Sequence, residues 1–183
     1  MRFKFILLFV IILAHVSENK LFAQNPVNME DTVQAALFRH TDLDTTYRYF
    51  KNTDIKILPP KHFVEFSSGE TSGFVNTGTA ASIVAAEYKD TPYVGYYDAL
   101  AEEAFSQVKN AVFTGERSTE TYSGRPAKFY FYKFTSKGVK VHRIIFFTGD
   151  ETQMVFLQAN YPATFDALIR DVIMESFLTV EYE

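Results

Sequence analysis

The sequence predicts an α+β fold in which an antiparallel β-sheet, ending in a four-strand meander, is sandwiched between helices. Three observations predict it. From residue 114 onward, four strand-like runs are separated by three short turns that contain glycine, which is the pattern of an antiparallel meander. Two of these runs are apolar at successive positions, so both faces of the sheet should be covered. Two amphipathic helical patterns, one before and one after the meander, can supply the covers.

Residues 1–24 are typical of an export signal. Arg2 and Lys4 precede an apolar run from Phe5 to Val16, and a more polar stretch then leads to LFAQ at residues 21–24. The apolar run is shorter than the roughly 20 residues that a membrane-crossing helix needs, which favours a cleaved signal over a retained anchor. We therefore expect a mature chain that begins near Asn25, with no transmembrane segment, in the periplasm of a bacterium or secreted from it.

Composition narrows the class of protein. The chain has no cysteine, so it cannot carry a lipid-attachment cysteine, a disulfide or a thiol nucleophile. Loss of residues 1–24 would remove three basic groups and one acidic group, which changes the formal net charge from −4 to −6. An acidic surface does not attract a phosphate backbone, so no nucleic-acid partner is expected. Residues 25–183 fit a single domain with a sizeable core.

The first elements are short. Residues 25–53 are polar and mixed, and we interpret them as an N-terminal leader lying across the domain, with one helix between Met29 and His40. The domain proper, residues 54–183, begins with DIKILPP, in which Ile55 and Ile57 alternate with polar residues up to Pro59. HFVEF, residues 62–66, should return as a second strand.

The pattern of the next segment does not separate helix from strand. In TAASIVAAEYK, residues 79–89, the alanines favour a helix, whereas Ile83, Val84 and Tyr88 suit a strand equally well. The following segment is clear, because apolar residues recur from Tyr97 to Val108 at helical spacing and acidic residues take the other side. An amphipathic helix is therefore predicted there.

The run AKFYFYKF, residues 127–134, is the most aromatic part of the chain. In a strand, Phe129 and Phe131 point to one face while Tyr130, Tyr132 and Phe134 point to the other. A base-stacking platform would need an open face with basic neighbours, and the wall of a ligand pocket is a further alternative. The next run, VKVHRIIFF, is apolar on both faces as well, which favours a covered core strand. A last helix should start with Pro162 in its first turn and end near Ser176.

The order of strands, helix, meander and final helix resembles the PsbP-like sandwich, a fold shared by a photosystem subunit, a Ran-release factor and DcrB-like bacterial envelope proteins. The local features that carry the resemblance are dispersed over residues 54–180. They are Pro59-Pro60 before Phe63, Gly73-Phe74, Ser82-Ile83-Val84, Gly124-Arg125-Pro126-Ala127, Asn160-Tyr161-Pro162 and Ser176-Phe177. The resemblance implies that the alanine segment is a strand. It also implies an accessory or binding role without enzyme activity.

The sequence carries no recognisable catalytic or metal-binding motif. His40, His62 and His142 lie far apart without the spacing of metal ligands. Ser106 and Lys109 form S-x-x-K, but the companion elements of that motif are missing. We expect no catalytic residue, metal or cofactor.

Two places are candidates for binding. The loop DTPYVGYY, residues 90–97, carries Tyr93, Tyr96 and Tyr97 around a glycine, and aromatic loops are common contact surfaces. Tyrosines that cap the edge of the sheet are the structural alternative. The other candidate is the adjacent pair His142 and Arg143 in an apolar strand. The sequence favours a position near the strand's solvent end for both, with a contact to an anion or a carboxylate as the alternative.

The sequence therefore predicts an exported, non-catalytic accessory or binding protein of the cell envelope, whose partner is an unidentified envelope protein or a small ligand. A carrier of small ligands or lipids, with a pocket between sheet and helix, is the first alternative. A hydrolase with an unrecognised site is the second.

Overall fold

A computed structural model describes residues 42–69, 71–106 and 108–183 of the chain. The expected export signal and the leader helix near Met29–His40 lie outside these ranges. Within them, no helix has both the length and the apolar character required to span a membrane.

In the described ranges, seven strands form the main sheet, and every neighbouring pair is antiparallel. The strands are β3 (Val64–Ser68), β4 (Thr71–Asn76), β5 (Ala81–Lys89), β6 (Val112–Glu120), β7 (Pro126–Ser136), β8 (Val139–Gly149) and β9 (Gln153–Pro162). Their order across the sheet is β3-β4-β5-β9-β8-β7-β6. The predicted meander is confirmed, and its last strand, β9, joins it to β5. This arrangement leaves β6 at one edge and β3 at the other.

Two helices of the described part of the chain cover the sheet from opposite sides. Helix α1 (Tyr97–Ser106) connects β5 to β6, and helix α2 (Asp166–Leu178) follows β9 after a 3₁₀ turn over Ala163–Phe165. Among the described residues, the buried apolar side chains form one cluster with residues of α1 and another with residues of α2. The α+β sandwich that the sequence predicts is therefore the observed architecture.

The aromatic strand lies where its double-faced pattern predicts. Phe129 is fully buried in the cluster with α2, whereas Tyr130 and Tyr132 belong to the cluster with α1. The neighbouring strand β8 alternates in the same way, since Phe146 packs on the side of α2 and Phe147 on the side of α1. AKFYFYKF is thus a core strand that is covered on both faces and lies between β8 and the edge strand β6.

A small ladder ties the segment before the sheet to the domain. Strand β1 (Arg48–Tyr49) pairs with β2 (Lys56–Ile57), and the ring of Phe50 contacts Phe74 edge to face at 4.9 Å between centroids. Phe50 is 1% exposed. The predicted boundary between residues 53 and 54 falls between the two strands of this ladder. Strand β1 has no apolar run from which it could be recognised in the sequence.

Three local predictions have clear outcomes. The alanine segment forms strand β5, as the resemblance implies. Helix α1 ends at Ser106, before the predicted Val108. Pro162 does not begin the last helix: it is the final residue of β9, and the 3₁₀ turn separates it from Asp166. The fixed φ of proline suits that exit from the strand as well as it suits a first helical turn.

Candidate binding surface beside helix α1

The loop before α1 divides its tyrosines between the core and the surface. Tyr93 is buried and stacks on Tyr97 with 4.7 Å between ring centroids. Its backbone N–H donates to the carbonyl of Asp150 at 2.8 Å. Tyr96 is 52% exposed, and Tyr97 is half-buried. Tyr93 therefore does not offer the exposed contact that the sequence pattern indicates, because its ring fastens the loop to the core. The binding role of Tyr96 and Tyr97 stays a prediction.

An open groove of about 180 Å³ lies between α1 and the edge strand β6. Its aromatic members come from three elements. Phe105 of α1 stacks on Tyr132 of β7 at 5.2 Å, and Phe113 of β6 contacts the same ring at 5.6 Å. The described residues that line it are Asp98, Ala101, Glu102, Phe105, Phe113, Tyr130 and Tyr132. The groove is thus an apolar depression with two carboxylates.

Polar groups of the buried tyrosines are satisfied by α1. The hydroxyl of Tyr132 donates to the carbonyl of Ala101 at 3.4 Å, and the hydroxyl of Tyr130 donates to the carboxylate of Asp98. Burial raises the pKa of Tyr132 to about 12. The hydrogen bond from Tyr130 lowers the pKa of Asp98, and Lys128, whose Nζ lies 3.1 Å from the carboxylate, lowers it further against the effect of burial. Asp98 is consequently a fixed anion that holds α1 on β7.

Strand β6 leaves apolar side chains in solvent at the groove. Val112 is 59% exposed and Phe113 is 47% exposed. Next to them the register shifts between Phe113 and Gly115, which forms a β-bulge. Gly115 has a φ of +148°, a backbone conformation that side chains disfavour. Among the described strands, β6 pairs with β7 alone, so its outer backbone groups face no strand.

Arg143 lies on the same face of the sheet, one strand further in than Tyr132. It is 3% exposed, and its Nε donates to Oδ1 of Asn160 at 2.8 Å. The guanidinium lies over the ring of Phe134 at 5.0 Å from the centroid. Nη1 is buried and has no hydrogen-bond partner among the described residues. Burial lowers the pKa of Arg143 to about 10, so the side chain remains a cation at neutral pH.

His142 points to the opposite face. Its Nδ1 lies 2.6 Å from Oδ1 of Asp166, and the hydroxyl of Tyr161 donates to the same oxygen at 2.8 Å. The position near solvent that the sequence favours for the pair is therefore wrong for Arg143, which is buried. For His142 the alternative of a carboxylate contact is the observed one. The two do not act together, because adjacent residues of a strand point to opposite sides.

Phe105 and Phe113 are the residues of this surface that sequence reasoning missed. Phe105 was indistinguishable from the other members of the buried helical stripe. Phe113 lies near the start of VFTGERSTE, and a large aromatic residue in this largely polar strand could have indicated a contact surface. That interpretation also requires β6 to be an edge strand, which only the strand order shows.

The described residues contain no group of three or more histidine, aspartate or glutamate side chains that could hold a metal ion. The hydroxyl of Ser106, from the S-x-x-K sequence, donates to the carbonyl of Glu103 at 2.8 Å, within its own helix.

Comparison with known proteins identifies the fold. No family model and no curated protein sequence matches the chain. Among solved structures, the cyanobacterial PsbP protein (CyanoP) of Synechocystis sp. is 10% identical, with a TM-score of 0.53 over 75% of this chain and 92% of that one. LpqN of Mycobacterium tuberculosis, described as involved in cell envelope biogenesis, is 13% identical, with a TM-score of 0.52 over 84% of this chain and 96% of that one.

A structure from Bacteroides thetaiotaomicron is 17% identical with a TM-score of 0.49, and it matches 71% of this chain. The match spans only 45% of the length of that structure. The likeness to CyanoP and LpqN shows a PsbP-like fold, which confirms the resemblance found in the sequence. At such low identity it is the fold that is shared.

Proposed function

We propose that this is a non-catalytic binding protein of the cell envelope that holds a protein partner at β6. An extended segment of the partner pairs with the outer edge of β6 and places an apolar side chain in the groove beside α1. The observation that carries the proposal is the coincidence of an open strand edge with an aromatic groove.

The edge supports strand addition. An edge strand presents backbone donors and acceptors that another chain can use, and natural proteins usually blunt such edges. The strand does carry charged residues from Glu116 to Glu120, which would discourage indiscriminate pairing. The first two residues of β6, Val112 and Phe113, are apolar and exposed. A complementary segment of a partner would bind there.

The dimensions of the groove favour a side chain over a free ligand. Pockets for drug-sized molecules measure roughly 300–1,000 Å³, and this groove holds about 180 Å³. Its lining would suit one apolar side chain next to a cationic one. Glu102 forms no ion pair with another described residue, whereas Asp98 is already paired with Lys128. Glu102 is therefore the carboxylate that a partner's lysine or arginine would meet.

The location rests on two supports. Residues 1–24 have the pattern of an export signal. LpqN, which has the same fold, is described as involved in cell envelope biogenesis. Export of this chain and the identity of its partner are proposals.

The two edges of the sheet provide a matched experiment. Val112 on β6 and Val64 on β3 are valines of similar exposure, 59% and 53%, on opposite edges. A photo-crosslinking amino acid placed at either position should capture a protein in the native envelope fraction at position 112 only. Phe113→Asp, which puts a charge into the groove at a half-exposed site, should reduce that product at least fivefold, because a desolvated aromatic anchor contributes about 1–2 kcal/mol or more to binding.

Equal crosslinking at positions 112 and 64 would mean that both edge strands bind envelope proteins nonspecifically, and it would overturn the proposal. So would a product at position 112 that Phe113→Asp leaves unchanged. If small molecules co-purify with the wild-type protein and no protein is crosslinked, the carrier alternative replaces the partner-binding proposal. Circular dichroism of Phe113→Asp should match that of the wild type, which excludes unfolding as the cause of the loss.

A further inference from the structure

A second site lies on the α1 face of the sheet, away from the edge. A row of side chains crosses four strands at one level, because the registers pair Tyr132 with Arg143, Arg143 with Asn160, and Asn160 with Ser82. Gln158 occupies the next position of β9 on the same face. Arg143, Gln158 and Ser82 are 3%, 3% and 6% exposed. Three buried polar side chains in one region of an otherwise apolar face require an explanation.

The charge of Arg143 is uncompensated within the described part of the chain. Of the carboxylates near this face, Asp98 and Glu116 are paired with Lys128 on β7, and Glu102 lines the groove beside α1. None of the salt bridges between described residues includes Arg143. A buried charge is normally paired, since burial without a partner is costly. Arg143 retains a free Nη1, while Asn160 fixes the guanidinium through Nε.

The surroundings limit what could complete the pair. Tyr132 and Phe134 provide aromatic surface next to the guanidinium, while Asn160, Gln158 and Ser82 provide amide and hydroxyl groups. Planar guanidinium and carboxylate groups match each other in shape. One cation in a largely apolar setting matches a group with one negative charge better than it matches a phosphate, which carries close to two.

We propose that Arg143 is the anchor of a binding site for a small monocarboxylic acid with an apolar body. The carboxylate accepts hydrogen bonds from the free edge of the guanidinium, with the amides of Asn160 and Gln158 as neighbouring donors. The apolar body lies against Tyr132 and Phe134. No bond is made or broken, and the site lies one strand further from the sheet edge than the groove of the partner contact, with Tyr132 between the two.

Three probes test the assignment by titration calorimetry of the purified protein. They are sodium octanoate below its micelle concentration, 1-octanol as the neutral counterpart, and inorganic phosphate as a different anion. Octanoate should bind at one site per chain. Octanol should bind at least tenfold more weakly, because hydrogen bonds to charged groups account for factors of roughly ten or more.

Two variants locate the site, with one matched control. Arg143→Met removes the cation and keeps an apolar stem, so octanoate affinity should fall at least tenfold. Asn160→Asp places an internal carboxylate 2.8 Å from Nε of Arg143 in a side chain of the same shape. It should weaken octanoate binding while raising the melting temperature, and it remains informative if Arg143→Met fails to fold. Arg117→Met, at an exposed arginine of β6, should change neither.

The proposal is overturned if octanoate does not bind, or binds equally to the wild type and to Asn160→Asp. Binding of phosphate that depends on Arg143, without binding of octanoate, would refute the carboxylic-acid class. Equal affinity for octanoate and octanol would show that the guanidinium plays no part. None of these results depends on Phe113, so failure of this site and failure of the partner contact can be told apart.

Discussion

His142 and Arg143 show how one strand gives two adjacent cationic residue types opposite environments. His142 faces α2 and meets the carboxylate of Asp166, the first residue of that helix. Arg143 faces the other way, where its Nε donates to the amide oxygen of Asn160 and its guanidinium lies over the ring of Phe134. The alternation of a strand predicts that the two diverge. The partners could not be predicted, because they come from β9 and α2 and depend on the register and on where the helix begins.

The carboxylate of Asp166 provides a prediction at this scale. Burial alone would raise its pKa, but hydrogen bonds from His142 and Tyr161 outweigh that effect and lower the pKa below the ordinary value of 3.8. Asp166→Asn keeps an acceptor oxygen for the hydroxyl of Tyr161 and removes the charge. We expect a loss of about 1 kcal/mol in the free energy of unfolding at pH 7, measured by urea titration.

The pH dependence has a definite sign. A carboxyl group whose pKa is lower in the folded state stabilises the fold at pH above its unfolded pKa, and this contribution is lost as the pH falls through the folded pKa. The difference between wild type and Asp166→Asn should therefore be full above pH 5 and shrink below pH 3.8. Asp171→Asn, an exposed position on the same helix, is the control. An equal loss in both variants would show that the contacts of Asp166 contribute nothing specific.

At the scale of elements, helix α1 covers one face of the sheet, and the loop before it holds the helix there through the buried ring of Tyr93. The apolar period predicts the helix, and the loop's tyrosines stand out in the sequence. Which tyrosine is buried could not be predicted, because that depends on the turn between β8 and β9. Gly149 of that region lies beneath Tyr93: a Cβ on Gly149 would come within 2.8 Å of the Cβ of Tyr93. The glycine is what lets the loop dock so closely.

Two tyrosines of this loop should differ sharply on truncation. Tyr93→Ala removes a buried ring that stacks on Tyr97, so we expect a loss of about 3 kcal/mol in the free energy of unfolding. Tyr96→Ala, at a side chain that is 52% exposed, should cost less than about 0.5 kcal/mol. Urea unfolding followed by circular dichroism measures both. Similar losses in the two variants would contradict the anchoring role of Tyr93.

At the scale of the whole molecule, the position of β9 between β5 and β8 decides which surfaces remain open. The sequence predicts the order within the meander, because tight turns connect consecutive strands. It does not show that β9 continues across to β5, because that pairing joins segments some 70 residues apart. The aromatic run could be assigned to the core because its own residues are apolar on both faces. The exposure of Phe113 could not be predicted, because it depends on β6 lying at an edge of the sheet.

The same limit applies to the extent of the domain. Residues before Asp54 show no strand pattern, yet β1 pairs with β2, and β2 in turn meets the end of the chain through Lys56 and Glu181. Two hydroxyls complete this contact, since Ser176 donates to the carbonyl of Leu58 at 2.7 Å and Thr179 accepts from its N–H at 2.8 Å. The N-terminal ladder and the C-terminal helix thus close one core between them.

If this ladder is part of the domain, Phe50→Ala should unfold the protein at markedly lower urea concentration. The ring is 1% exposed and packs edge to face on Phe74, so a loss of about 3 kcal/mol in the free energy of unfolding is expected. Tyr49→Ala is the control: the neighbouring ring is 58% exposed and should matter by about 0.5 kcal/mol or less. A single transition with an unchanged m-value is expected for both. If Phe50→Ala were as stable as the control, the segment would be an appended leader, and the domain would begin at residue 54.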